Sequence, residues 1–312
     1  MRNQQIEPPQ FLVIGAQKAG TTWLYHQLSK HPDVFIPPVK EVHYFDRDKA
    51  YNSPNRLALA SVTERINSNS SSAKEWRKHL LNHVINQDRE SIFQSQWYLN
   101  YLFGNYDNDW YKSLYIGNKS KICGEVTPSY SILNNSDIQN IKKLFPEIKI
   151  IFLMRNPIDR DWSHFRYDCH QRKIQPSSVP TKDILNFMNK DGVRARSDYA
   201  KILKRWTEIF SQEQILIGYY DQIKDQPQNL LSDICSFLGL DYSNHFREQL
   251  VTRKFNQSPD AEIPIEVEFQ LLQLHINQLQ SLSQALGSYS TQWLLDSKSK
   301  LSRSNYPTHL KI

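Results

Sequence analysis

The sequence predicts an α/β fold in which helices flank a central parallel sheet, and three observations support this class. Short apolar runs bounded by glycine or proline predict strands that are buried on both faces, as the strands of a parallel sheet are. Amphipathic helical segments alternate with these runs. Hydrophobic residues make up 39% of the 312 residues and aromatic residues 12%, which is enough to fill a sizeable core.

The first elements are predicted near the N-terminus. Phe11–Gly15 is a continuous apolar run closed by glycine, and a helix from about Thr21 to Lys30 follows it, ended by His31-Pro32. Val34–Ile36 is a second brief strand, which two prolines end. The segment 40–46 that leaves this strand is therefore expected near the mouth of the sheet.

The α/β alternation returns in the middle of the chain. A helix over Asp137–Phe145 precedes a strand over Lys149–Met154, and Asn156 as N-cap with Pro157 at the first helical position begins another helix. We interpret the stretch between these units and the first ones, about residues 47–121, as an aromatic-rich insertion beside the site. The whole chain, 1–312, is then a single domain.

The last third repeats the pattern. Ser197–Phe210 is predicted to be a helix, Ile215–Tyr219 a strand, and Pro227–Leu238 an amphipathic helix with Gly239 just past its end. A polar loop, 251–264, precedes a long helix that runs to about Leu286. The remaining tail is expected to be short.

Charge favours an anionic ligand. A net charge of +6 and a pI near 9.0 suit nucleotides, phosphates or sulfated sugars, or nucleic acid bound without specificity. No run of five or more lysines and arginines occurs, which disfavours a dedicated nucleic-acid arm, so we expect no nucleic-acid partner.

Cysteine usage and the N-terminus indicate a reducing compartment. Cys123, Cys169 and Cys235 are odd in number and form no CxxC pair, so we expect buried, reduced thiols. Residues 1–10 are polar, and the apolar run after them is too short for a signal peptide or a membrane span. The sequence therefore predicts a cytoplasmic protein without a membrane span.

The clearest chemical signal is the segment 15–22, Gly-Ala-Gln-Lys-Ala-Gly-Thr-Thr, between the first strand and helix. A glycine-bearing turn at this place presents backbone N–H groups and a helix N-terminus to an anion. The Walker A pattern would place lysine directly after the second glycine, whereas Lys18 precedes Gly20 here. We infer a P-loop-like nucleotide-binding fold whose lysine reaches a bridging oxygen of the ligand.

A second anion-binding signal follows the strand Lys149–Met154. A P-loop NTPase usually ends such a strand with an aspartate for magnesium, but Arg155 stands at this end. Arg155 and Ser163, on the next helix, can converge on one phosphate through charge-assisted and hydroxyl hydrogen bonds. The implied ligand is a nucleotide with a phosphate in an unusual place.

Together with Lys-Glu-Val-His-Tyr-Phe-Asp at 40–46 and Gly-Glu-Val-Thr-Pro-Ser-Tyr at 124–130, these segments resemble the sulfotransferases that use 3′-phosphoadenosine 5′-phosphosulfate (PAPS). The likeness is strongest to the branch with the heparan sulfate sulfotransferases and their bacterial relatives. The strand and helix at 215–221 and 237–240 are similar to that family too. The resemblance covers most of the chain, with 47–121 its least covered part.

The resemblance implies a donor site for PAPS and for its product, 3′-phosphoadenosine 5′-phosphate (PAP). In the family the first loop binds the 5′-phosphosulfate, and its lysine stabilises the leaving oxygen. Arg155 and Ser163 match the pair that binds the 3′-phosphate. The positions that match the first loop are Lys18, Ala19, Gly20, Thr21, Thr22 and Trp23.

The resemblance also implies the base. Glu41 matches the residue that takes the acceptor's proton, and His43 is the neighbouring candidate. Because a glutamate in water has a pKa of about 4.3 and is a poor base, we predict that burial or an anionic neighbour raises the pKa of Glu41.

Other positions bear on the acceptor and on closure of the site. Arg253 and Lys254 stand where family members place a loop over the nucleotide, although the glycine common there is missing. Val126 stands where several carbohydrate-acting members carry lysine, which favours a small natural product, a lipid-like hydroxyl or a neutral sugar as acceptor. The residues interpreted as acceptor-binding are His43, Tyr44, Trp97, Tyr98, Tyr130 and Tyr167.

Two other functions share part of this pattern. A P-loop kinase or NTPase would have the strand, loop and helix, and magnesium-dependent ATP hydrolysis would identify it. A non-catalytic nucleotide-binding protein would bind the product without turnover. No metal is expected, because the histidines show neither HxxxH nor HExxH spacing.

Overall fold

Five parallel strands form the centre of the molecule. The structure, a computed structural model, describes residues 9–51, 57–59, 61–86, 92–118, 121–242 and 261–302. Within them the strands lie side by side in the order β2-β3-β1-β4-β5. The strands are β1 (Phe11–Gly15), β2 (Val34–Phe35), β3 (Ile122–Val126), β4 (Lys149–Met154) and β5 (Ile215–Tyr219).

Helices cover the sheet, as the sequence predicts. In the first half they are α1 (Thr21–Leu28), α2 (Val62–Asn67), α3 (Ser71–Asn86), α4 (Ile92–Phe103), α5 (Asn108–Ser113) and α6 (Asn135–Leu144). In the second half they are α7 (Pro157–Gln171), α8 (Thr181–Met188), α9 (Asp191–Ser197), α10 (Tyr199–Thr207), α11 (Tyr220–Asp225), α12 (Pro227–Leu238), α13 (Ile265–Leu286) and α14 (Ser288–Leu301). None of these described helices combines the length and the apolar character needed to cross a bilayer.

The order of the strands places a change in the direction of winding between β1 and β4. From β1 the chain moves to one side of the sheet for β2 and β3, and to the other side for β4 and β5. The carboxyl ends of β1 and β4 therefore flank the place where the direction of winding changes, and ligands of open α/β sheets bind at such a place. β1 is apolar and buried throughout because strands and helices cover it on every side.

Strand β3 is an element that the sequence reasoning did not predict. Its apolar pattern is interrupted by Gly124 and Glu125, both inside the sheet. Gly124 pairs with Phe11 of β1, and a Cβ at Gly124 would lie 2.4 Å from the ring of Phe11, so a larger residue would not fit. The interruption is thus a packing requirement rather than a break in the strand.

Other boundaries shift by a few residues. The helix expected to reach Lys30 ends at Leu28, and the helix expected over Ser197–Phe210 is α10, capped by the Asp198 side chain. The tail expected to be short contains α14, which packs against α13. The polar loop expected over 251–264 lies mostly outside the described residues.

Two hydrophobic clusters hold the layers together. The larger one surrounds the sheet and includes the helices of region 47–121, whose aromatic side chains are mostly buried. The second lies between α7, α8 and α13. All three cysteines are buried and unpaired by disulfides, as expected.

Candidate functional site

A phosphate-binding loop joins β1 to α1. Ala16 donates its N–H to the carbonyl of Leu153 at 2.6 Å, which ties the loop to the end of β4. Gly20 has a φ of 94° and precedes α1, and a Cβ there would lie 2.3 Å from the Cδ1 atom of Ile223. Glycine is the residue that fits both this left-handed backbone conformation and the narrow space beside Ile223. The N-terminus of α1 therefore begins directly after this turn, and the first N–H groups of a helix are the groups that bind an anion in such a loop.

Lys18 is the cation of this loop. Its backbone has a φ of 71°, in the left-handed region that non-glycine residues rarely adopt. The ammonium group lies 4.0 Å from the centre of the Tyr167 ring. Burial, followed by the charges of Arg155 and Arg166, lowers the pKa of Lys18 to about 8. A lysine so surrounded by cations favours an anionic ligand, because such a ligand would relieve the repulsion.

Arg155 connects the loop to the end of β4. Its Nη1 donates to the carbonyl of Lys18 at 3.3 Å, and its guanidinium lies 4.5 Å from the centre of the Tyr220 ring. Its Nε is buried without a hydrogen-bond partner among the described residues. Ser163 is buried on the second turn of α7, the helix that begins two residues after Arg155. A buried, unsatisfied guanidinium nitrogen is costly, and a phosphate oxygen is a group that would satisfy it.

The segment after β2 brings carboxylates to the site. His43 lies between Asp46, whose Oδ2 is 2.8 Å from Nδ1, and Glu41, whose Oε2 is 3.5 Å from Nε2. Lys40 forms an ion pair with the other oxygen of Glu41. Glu41 and His43 have φ values of 66° and 61°. Two residues in the left-handed region within three positions indicate a segment whose conformation is held by its surroundings.

The expected rise of the pKa of Glu41 is wrong. Burial does raise it, but the hydrogen bond from His43 and the charges of Lys40 and His43 outweigh burial and lower the pKa of Glu41 to about 2. Glu41 is therefore ionised at every physiological pH. The nearby carboxyl with a raised pKa is Glu125 of β3, which burial brings to about 7.

Glu125 and Tyr115 were not among the site residues predicted from the sequence, whereas Tyr130, which also neighbours Glu125, was. Glu125 is 1% exposed, and Tyr115 donates its hydroxyl proton to Oε2 at 3.4 Å. The charge of Asp46 is among the causes that raise the pKa of Glu125. The hydroxyl of Tyr130 accepts hydrogen bonds from the backbone N–H groups of Tyr44 and Phe45 at 2.9 and 3.4 Å. These groups form the floor beneath the segment 40–46.

A buried network on α7 was also missed. Asp161 accepts hydrogen bonds from Arg160 and from the hydroxyl of Ser197, and its Oδ2 is 2.7 Å from Nε2 of His275 on α13. Burial raises the pKa of Asp161, but the charge of Arg160 and the contact with His275 outweigh burial and hold it at about 2. Tyr199 accepts the backbone N–H of Arg155 with its hydroxyl at 3.4 Å, and its own backbone N–H donates to Oε1 of Gln278 on α13 at 3.1 Å. The network thus connects the C-terminal helices to Arg155.

The predicted acceptor-binding aromatics lie in different places. Tyr130 is fully buried and supports the segment 40–46, and Trp97, 5% exposed, donates its indole N–H to the carbonyl of Leu114. These two rings serve the core and do not form open pocket walls. Tyr44 is buried against Tyr111, Tyr98 is half-buried, and Tyr167 is 38% exposed.

The remaining predicted donor-site residues belong to the loop and to α1. Ala19, Thr21 and Trp23 are buried, while Thr22 is half-buried. Arg253 and Lys254 lie outside the described residues. Over the described part of the chain, no group of three or more histidine, cysteine or acidic side chains has the spacing of a metal site.

Comparison with protein families and curated sequences gives consistent matches. A profile described as "Sulfotransferase family" matches residues 9–244. Carbohydrate sulfotransferase 15 of Mus musculus is 23% identical over 279 residues, covering 78% of this chain and 46% of that protein. The human bifunctional heparan sulfate N-deacetylase/N-sulfotransferase 3 is 24% identical over 245 residues, covering 74% and 22%. The chain spans less than half the length of these two relatives.

Solved structures show the same fold. A sulfotransferase from Alicyclobacillus acidocaldarius superposes with a TM-score of 0.59 at 20% sequence identity, covering 92% of this chain and 99% of that one.

Proposed function

Because the chain belongs to the sulfotransferase family, we propose that it transfers the sulfuryl group of PAPS to a hydroxyl or amine. The acceptor is a small-molecule natural product, a lipid or a sugar. The observation that carries the proposal is the direct contact between two anion-binding elements, where Arg155 Nη1 donates to the carbonyl of Lys18. One nucleotide with phosphates at both ends would satisfy the two elements together.

The chemistry follows from the charges around the carboxyl ends of β1 and β4. The bond between sulfur and the bridging oxygen of PAPS breaks, a bond between sulfur and the acceptor oxygen or nitrogen forms, and the acceptor proton passes to Glu41. Lys18 and the N–H groups of α1 stabilise the charge on the departing PAP. A loose transition state, like that of phosphoryl transfer, releases the acceptor proton late, so the weakly basic Glu41 suffices.

The donor assignment also rests on what the loop and the strand end carry. Lysine does not follow Gly20, and Arg155 stands where an NTPase would carry an aspartate for magnesium. These two features separate the proposal from a P-loop kinase or NTPase. The relatives named above are named for carbohydrate and heparan sulfate, which supports a sugar among the possible acceptors.

Nucleotide binding tests the donor site. We expect calorimetry to show PAP binding at least about tenfold more tightly than AMP or ATP, since Arg155 and Ser163 would contact a 3′-phosphate that AMP and ATP lack. Equal affinities would contradict the donor site, and magnesium-dependent ATP hydrolysis would favour the NTPase. PAP binding without sulfate transfer to any of a broad panel of acceptors would favour a non-catalytic binding protein.

Lys18→Ala tests the leaving-group role. The variant should lower the rate of transfer from labelled PAPS about 10²- to 10³-fold, the effect of losing one preorganised electrostatic contact in the transition state. Lys30→Ala, at the exposed end of the same loop-helix unit, is the matched control. An unchanged rate in Lys18→Ala would remove Lys18 from the chemistry.

Glu41→Gln tests the base. It should reduce transfer by about 10²-fold or more while leaving the Kd for PAP nearly unchanged, because the carboxylate contacts the acceptor and not the nucleotide. The carboxylate in the wild type is ionised, so the rate attributable to Glu41 should stay level from pH 5 to 7. Loss of PAP binding together with transfer would instead show a folding defect.

A further inference from the structure

Tyr167 of α7 lies beneath the ammonium group of Lys18. The distance from Nζ to the centre of the ring is 4.0 Å, which is within the range of a cation–π interaction. Tyr167 stands one helical turn beyond Ser163, so both side chains lie on the same face of α7. The helix that carries one arm of the phosphate site therefore also carries the ring that contacts the loop lysine.

The surroundings of Lys18 are otherwise cationic. Within the part of the chain that the structure describes, the ion pairs do not include Lys18. Burial and four positive charges lower its pKa to about 8. Charged and titratable groups face it from three elements, the end of β4, α7 and the segment after β2, and these groups are Arg155, Arg160, His164, Arg166 and Lys40.

A ring face is suited to this position. An aromatic quadrupole attracts a cation without adding the full negative charge of a carboxylate, which would compete with an anionic ligand for Lys18. Lys18 also has a left-handed backbone, so its side chain starts from an uncommon direction. The contact with the ring fixes where the other end of the side chain lies.

We propose that Tyr167 is a positioning residue whose ring face holds the protonated ammonium group of Lys18 at the mouth of the phosphate loop. The consequence for catalysis rests on the proposed function, because a protonated lysine is what stabilises the departing PAP. The positioning itself does not depend on which nucleotide binds. Tyr167 was expected to be a wall of the acceptor site, and the experiment separates the two roles.

The test measures Lys18 directly. Lysines of the purified protein are dimethylated with ¹³C-formaldehyde, and the Lys18 signal, identified by its loss in Lys18→Arg, is titrated by NMR. We expect a midpoint near 8 in the wild type. In Tyr167→Leu it should fall by about half to one pH unit, the equivalent of losing one partly desolvated cation–π contact. Tyr167→Phe retains a ring and should keep the wild-type midpoint.

Controls and activity complete the design. Tyr289→Leu, a half-buried tyrosine that packs against Tyr219, should leave the Lys18 midpoint in place. The basic limb of kcat/KM for sulfate transfer should shift to lower pH in Tyr167→Leu by the same amount as the NMR midpoint. A higher KM for the acceptor with an unmoved Lys18 midpoint would overturn the proposal in favour of an acceptor wall. Failure of PAP to bind would contradict the proposed function and leave the titration result standing.

Discussion

Glu125 shows how a single buried side chain can carry a cost to stability. Burial raises the pKa of Glu125 to about 7, from 4.5 in an exposed chain. Between these two pH values the folded protein holds a proton that the unfolded chain has released. Stability should therefore fall as the pH rises from 4.5 to 7 and change no further above it. The segment 40–46 is coupled to this carboxyl, because the charge of Asp46 contributes to the raised pKa of Glu125.

Glu125→Gln is predicted to be more stable than the wild type at pH 8, by up to about 3 kcal/mol, since a shift of about 2.5 units corresponds to that energy. At pH 4.5 the two proteins should unfold at the same denaturant concentration. Urea unfolding across this pH range measures the difference. Glu147→Gln, at an exposed position, is the control. If the difference in free energy of unfolding between the wild type and Glu125→Gln does not change with pH, the assignment is refuted.

The positions of the candidate site residues could be predicted from the sequence more readily than their pKa values. Lys18 and Arg155 were predicted from their places after strands and Ser163 from its place on the helix that follows, because parallel strands bring their carboxyl ends to one edge. The state of Glu41 could not be found in this way, since it depends on the contact of Lys40 and His43 with its two oxygens. The pair of Asp161 and His275 is separated by 114 residues and has no local signal.

At the scale of elements, the loop between β1 and α1 depends on Gly20. Gly20 has a φ of 94°, and a Cβ at this position would lie 2.3 Å from Ile223. Both features disfavour any residue other than glycine. Gly239 offers a matched comparison, because its φ is 77° but nothing lies within 4 Å of its would-be Cβ. Alanine at Gly239 introduces backbone strain alone, whereas alanine at Gly20 introduces both strain and crowding. Comparing the effects of the two substitutions therefore separates the cost of crowding from the cost of strain.

Gly239→Ala should cost about 1 kcal/mol of stability, the penalty of a left-handed alanine, with no change in PAP affinity. Gly20→Ala should cost more and should weaken PAP binding about tenfold, because the loop must move away from Ile223 and its N–H groups then point elsewhere. Thermal unfolding and calorimetry measure the two effects. Equal PAP affinity in both variants would show that the loop tolerates the shift.

The bounds of the helices and strands were predicted correctly where the hydrophobic pattern of the sequence was uninterrupted. β1, β4, β5 and α12 have the bounds expected from apolar runs closed by glycine or by polar residues. β3 was missed because tertiary packing demands Gly124 and because Glu125 is polar. α14 was missed because serines and lysines dilute its apolar face. In both cases the neighbours across space, rather than the local pattern, determine the structure.

At the scale of the whole molecule, the second hydrophobic cluster depends on a charged centre. His275 of α13 and Arg160 of α7 both contact Asp161, and all three side chains are buried. Removing one partner of a buried charge is more damaging than replacing the whole group, because the remaining charge stays desolvated. The C-terminal helices are thereby fastened to the helix that begins beside Arg155.

His275→Ala is predicted to lower the free energy of unfolding by about 3 kcal/mol, because the buried carboxylate of Asp161 would lose one of its hydrogen-bond partners. His275→Gln, which can still donate a hydrogen bond to Asp161, should lose less. Chemical denaturation compares the three proteins. If alanine and glutamine have the same effect, the hydrogen bond to Asp161 contributes little and packing explains the loss.

The left-handed backbone at Lys18, Glu41 and His43 has a consequence for evolution and for engineering. Glycine would relax each of these positions, and asparagine would tolerate them, whereas valine, isoleucine and threonine would not. A library screened for heat resistance alone should therefore accumulate glycine at these three positions and, if the proposed roles of Lys18 and Glu41 hold, lose turnover as it does so. Asparagine removes the side-chain chemistry of each residue while still tolerating the left-handed backbone. A mutational scan that includes asparagine can therefore distinguish activity lost through backbone distortion from activity lost with the side chain.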